Sequence, residues 1–160
     1  MDYGPFLEEF PEVAKEETRQ INVVNQGGKL PKGRYLLIEL FCTDPECDCR
    51  RVFFNVKHVE SDQLVAVIAY GWEDDQYYHE WFGMGTPEMD MSEVITPEMN
   101  MPEMIEILKG PALNPTSPQT EVAPAVLEEV ETVLEDEEYV ERIMRHYEMF
   151  KESIAPTDRN

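Results

Sequence analysis

The sequence predicts an α+β fold: an antiparallel three-stranded meander with a cysteine-bearing hairpin tip, packed against N-terminal, central and C-terminal helices. Three observations predict it. Residues 35–42, 51–59 and 64–72 are successive runs of strand length, rich in Val, Ile, Leu, Phe and Tyr. The connections between them are short and polar, which suits hairpins. Residues 126–134 and 139–150 then carry apolar side chains at helical spacing. With 160 residues, 42% of them hydrophobic, the chain can bury a core without disulfides, and residues 1–160 are read as a single domain.

In chain order, Pro11 suits a first helical turn, and Val13, Ala14 and Ile21 form one side of a short helix over 12–20. Asn25-Gln26-Gly27-Gly28 is expected to end it, and Leu30-Pro31-Lys32-Gly33 to turn the chain into the first strand. In the second strand Val52, Phe54 and Val56 alternate with Phe53, Asn55 and Lys57; the first and third are apolar nearly throughout, which predicts deeper burial. Residues 60–63 form a tight hairpin connection. Asp74 or Asp75 caps an aromatic helix containing Tyr77, Tyr78, His79, Trp81 and Phe82, stopped by Gly83 and Gly85.

Residues 86–118 read as a Met/Pro-rich irregular segment, with Thr86-Pro87-Glu88-Met89 and Thr96-Pro97-Glu98-Met99 as near-copies and short helical turns interrupted by prolines. Its methionines suit an adaptable binding surface better than a Cu(I) site. Val126, Leu127, Val130, Val133 and Leu134 then form one helical stripe. Asp136 caps a second helix, with Tyr139, Val140, Ile143, Tyr147 and Phe150 as its apolar side. The two are expected to form an αα-hairpin on the open face of the sheet, before a frayed tail over 155–160.

Net charge is −21, and it is unevenly spread: residues 58–141 hold Lys109 as their one Lys or Arg, against 21 acids. Nucleic acid is thereby disfavoured as a partner, since phosphate contacts need clustered bases. The acidic surface serves solubility, and the partner it suits is a protein with a basic surface. No apolar run approaches the roughly 20 residues of a membrane helix, and the first residues show no secretion signal, so no membrane role and a reducing cytoplasm are expected.

Cys42, Cys47 and Cys49, all the cysteines of the chain, stand in a Cys-x4-Cys-x-Cys spacing at the tip between the first two strands. Soft thiolates in this density point to zinc, the plain alternative being three structural thiols. A tetrahedral ion needs a fourth ligand. His58 follows Cys49 along the second strand by nine residues, about 30 Å at ~3.3 Å per residue. The third strand returns the chain to the cysteine end, and His79 follows soon after. The expected ligands are therefore Cys42, Cys47, Cys49 and His79, with Asp44 and Asp48 as oxygen alternatives. Arg50 and Arg51 offset the charge of the thiolates or anchor an anion.

No reaction is spelled out. His79-Glu80 lacks the second histidine of a zincin, and there is no phosphate loop or serine elbow. The deaminase order also fails, because His79 follows the cysteines. The leading expectation is a zinc-stabilised binding or adaptor module. The alternatives are a metal-dependent hydrolase, using Arg50 or Arg51 for substrate and Glu80 or Asp48 as base, and a redox-responsive thiol protein.

Residues 35–42, continuing through Asp44-Pro45-Glu46-Cys47-Asp48-Cys49-Arg50-Arg51-Val52, resemble a motif of bacterial proteins of unassigned role, some of which look like carriers of a zinc-binding SEC-C tail. Residues 114–151 are similar to the end of the same proteins. The resemblance implies no activity. A role tied to a Cys-rich tail is not carried over, since this sequence has no such segment.

Overall fold

A computed structural model describes residues 3–24, 28–84 and 101–155. Their elements, in order, are β1 (Tyr3–Pro5), α1 (Phe6–Glu9), α2 (Pro11–Glu17), β2 (Gln20–Val23), β3 (Gly33–Cys42), β4 (Arg51–His58), β5 (Gln63–Gly71), α3 (Asp75–Met84), α4 (Met101–Lys109), β6 (Ala112–Leu113), α5 (Ala123–Val133) and α6 (Glu137–Ile154). The architecture is α+β, with all strand pairs antiparallel.

The three apolar runs form β3, β4 and β5, paired in that order. The sheet is six-stranded rather than three-stranded. β1 pairs with the Cys42 end of β3, β2 with its Gly33 end, and β6 extends β5. The added strands span only two to four residues, too short for their own alternation to stand out. The helix expected over 12–20 ends at Glu17, where Thr18 turns extended, and Ile21 belongs to β2 rather than to a helical face. Only β5 has a continuous buried run, Val65 to Ala69, while β3 alternates between buried and half-buried positions.

One face of the sheet carries the main core. Leu37, Phe41, Val52, Phe54, Val56 and Ile68 meet Phe6 and Ala14 from α1 and α2, Val126 and Val130 from α5, and Tyr139, Ile143 and Phe150 from α6. The expected caps form: Asp136 accepts from the Glu138 N–H at 3.0 Å and Asp74 from the Tyr77 N–H at 2.9 Å. Alternation along β4 turns Arg51 and Phe53 to the other face, where α3 and α4 lie and Tyr78, Ile105 and Leu108 form a smaller cluster. Gly110, at φ +61, ends α4: its N–H donates to the Glu106 carbonyl, and a Cβ there would run into the Ala69 carbonyl.

Of the Met/Pro-rich segment, the described part contains α4 and β6; the near-copies in residues 86–100 lie outside the described residues, as do residues 156–160. Among the described residues, no helix is long and apolar enough to cross a membrane.

Candidate metal centre

Cys42 is the last residue of β3, and residues 43–50 turn the chain back into β4. The turn is local chemistry. Asp44 accepts the Glu46 N–H on its carboxylate at 2.9 Å and the Cys47 N–H on its carbonyl at 3.1 Å, and Pro45 supplies the fixed φ that such a turn favours. The fold this produces brings Cys47 and Cys49 back over Cys42. The three sulfurs lie within 4.8 Å of one another, and all three residues are buried, Cys47 being the most exposed at 6%. Tetrahedral zinc with Zn–S of about 2.3 Å would set its sulfurs roughly 3.8 Å apart, so the cluster has the right scale.

All three thiols are free of disulfides. Hydrogen bonds from Cys42 and Cys47, with the Arg51 guanidinium and the Tyr3 hydroxyl also near, hold the Cys49 thiol well below its ordinary range. Hydrogen bonding to Cys42 and Cys49, together with burial, raises Cys47. The neighbouring thiols of Cys42 and Cys47 thus donate toward Cys49, which favours its charged form over theirs. Further donors reach the sulfurs: the Asp44 N–H lies 3.4 Å from Cys42 Sγ and the Tyr3 hydroxyl 3.8 Å from Cys49 Sγ. Burial pushes the Tyr3 phenol up, so that hydroxyl keeps its proton.

The two arginines divide their roles. Arg51, 6% exposed, donates from Nε to the Leu108 carbonyl at 2.6 Å, lies over the Phe53 ring and places its charge beside Cys49. Arg50 is not on the strand. It adopts a left-handed φ of 51° and pairs with Asp48 at 2.9 Å and Glu73 at 3.1 Å.

Distant helices pin this loop. The Tyr147 hydroxyl, on α6, donates to Asp48 Oδ1 at 2.9 Å and accepts from the Arg50 N–H at 3.2 Å; Lys151 donates to the Asp44 carbonyl at 2.6 Å. From α3, the Tyr78 hydroxyl donates to the Arg50 carbonyl at 2.7 Å and the Tyr77 hydroxyl to the Asp48 carbonyl. Burial raises all three phenols, Tyr77 to about 12, so they remain donors across the physiological range. Periodicity alone marks these tyrosines only as apolar packing. The available signal was that a buried phenol needs a partner where phenylalanine would not.

Of the four expected ligands, three come together. α3 does arrive at the cysteine end, with Trp81 packed on the cluster beside Tyr3, but His79 is exposed and stands outside the group of ligand atoms. Helical geometry explains its place. Trp81 lies about 200° around the helix from His79 at 100° per residue, so turning the first inward turns the second outward. His58 sits at the far end of the sheet, paired with Tyr35 and bonded to Ser61 and the Lys32 carbonyl. The Asp48 carboxylate is taken up by Arg50 and Tyr147, and Glu80 bonds to Gln76, so neither is held as a base toward the thiols. Comparison with protein-family models, curated proteins and solved structures gave no match to this chain.

Proposed function

We propose that the chain is a cytoplasmic binding or adaptor module whose fold is stabilised by one zinc ion on Cys42, Cys47 and Cys49. The observation that carries the reading is the convergence of three reduced, buried thiols with an arginine, amide and hydroxyl donors already arranged around them. Three thiolates and one Zn²⁺ leave a single negative charge, which Arg51 offsets. Burial of all three thiols supports a structural role over a hydrolytic one, which requires an open, accessible position.

The fourth position falls to a donor outside the thiol cluster; His79, expected from the sequence, is turned outward on α3 and would have to move to supply it. Zinc content of the purified chain, measured by elemental mass spectrometry, tests the reading. One zinc per chain, lost in Cys49→Ser, is the expected result. Metal-free wild-type protein purified without chelator overturns it. Affinity measured by chelator competition then places the fourth ligand: a weakened His79→Ala assigns it to that histidine, and an unchanged one assigns it to water or another donor.

A further inference from the structure

Among the described residues, β2 leaves one edge of the sheet open: it pairs with β3 alone, Gln20 opposite Leu36 and Asn22 opposite Arg34. The Arg34 N–H is committed to the Glu60 carboxylate and its carbonyl to the Val59 N–H, both at 2.9 Å and both toward β4. Arg34 and Asn22 are therefore a non-bonded pair of the ladder, and the main-chain groups of Asn22 and Gln20 point away from β3. Gln20 and Asn22 are exposed, whereas Ile21 and Val23 pack toward the core. The strand Gln-Ile-Asn-Val carries neither a charge nor a proline, the devices that usually close an edge to pairing.

Beyond this strand, Val24 is 73% exposed, the most exposed large hydrophobic residue described. With Val23, Leu30 and Ala125 it borders a groove of about 350 Å³, rimmed by Glu128 and Glu129. α5 carries a third acid, Glu131, and no base. The rim already holds one ammonium group: Lys29 Nζ lies 3.4 Å from both Glu128 oxygens. Glu129 has no ion pair among the described residues.

We propose that the β2 edge and this groove dock an extended basic segment of a partner protein. Its backbone pairs with Gln20 and Asn22, one apolar side chain enters the groove beside Val24, and a Lys or Arg meets Glu128 and Glu129. A second copy of this chain fits poorly, because edge pairing would bring together two chains of net charge −21 and two acidic rims. The proposal deepens the binding-module reading and does not depend on the metal.

The test uses the full chain as purified and a blocked seven-residue peptide of alternating valine and lysine. Two controls accompany it: glutamate in place of lysine, and a version N-methylated at alternate residues that cannot pair as a strand. The parent peptide should shift the NMR signals of Gln20, Asn22 and Val24, and each control should bind at least about tenfold more weakly. Asn22→Pro removes an outward-facing donor that β3 does not use, and should abolish binding with melting temperature and zinc content unchanged. Equal binding of the N-methylated peptide, or shifts centred on α6, would reduce the interaction to charge attraction and overturn the proposal. So would self-association of the free chain that Asn22→Pro abolishes, which would make a second copy the occupant.

Discussion

Arg51 is the side chain on which the electrostatics of the thiol cluster turn. A buried guanidinium is costly unless paired, and here it sits between the Leu108 carbonyl and the Cys49 sulfur. Arg51→Leu should lower zinc affinity by about 10- to 100-fold, the usual effect of removing a group that supports metal ligands. Arg50→Leu, which loses exposed ion pairs, should change affinity far less. Chelator competition separates the two, and equal effects would contradict this division of roles.

His146, 1% exposed, is the second residue whose charge matters. Its Nδ1 lies 2.7 Å from Glu39 and its Nε2 2.7 Å from Glu17, and one neutral imidazole cannot donate to both. Burial lowers its pKa, but the hydrogen bonds and charges of Glu39 and Glu17 outweigh that and leave it raised. Burial raises Glu39, whereas the His146 hydrogen bond leads the lowering of Glu17. A raised histidine contributes stability that is fully present below its unfolded value of about 6.5 and is lost as pH rises through the folded value. Glu39, also raised, works in the same direction, while the contribution of Glu17 is lost only as pH falls through its lowered value. Denaturant unfolding at saturating zinc should therefore show stability declining from near pH 7 upward, and the double variant Glu39→Gln/His146→Leu should flatten that decline. An unchanged slope in the variant would show that the network carries no linked proton.

At the scale of elements, α3 couples the smaller cluster to the cysteine loop through Tyr78. Gly71 makes this contact, because a Cβ there would collide with the Tyr78 phenol. Gly71→Ala should therefore destabilise the fold by about 1–3 kcal/mol, as overpacking does, and loosen the loop with it. Thermal melting and zinc affinity should fall together, and full stability in the variant would contradict the packing described. How far such elements could be read from sequence follows their length. β3 to β5 are long enough for composition and periodicity to show, and Asp74 and Asp136 announced their helices as caps. β1, β2 and β6 exist because long-range pairing with β3 and β5 organises two to four residues, which leaves no local signature. In the site, the cysteine spacing and the return of β5 to that end were readable. The outward turn of His79 was not, since it depends on which face of α3 the Trp81 and Tyr78 contacts select.

For the whole molecule, the central claim is that the three-thiol site holds a metal whose binding contributes to folding. Remote parts of the chain converge on that site: Tyr3 from the first strand, Tyr77 and Tyr78 from α3, and Tyr147 and Lys151 from the last helix. A ligand that binds only the folded state adds about 4 kcal/mol at a thousandfold excess over its dissociation constant. Each kcal/mol moves the melting temperature by roughly 2–4 °C for a domain of this size. The deciding measurement is the melting temperature of the purified chain before chelation, after it, and after zinc is restored. A fall of about 10 °C on chelation, reversed by one equivalent of zinc, is the predicted result; an unchanged melting temperature across all three states would contradict the claim.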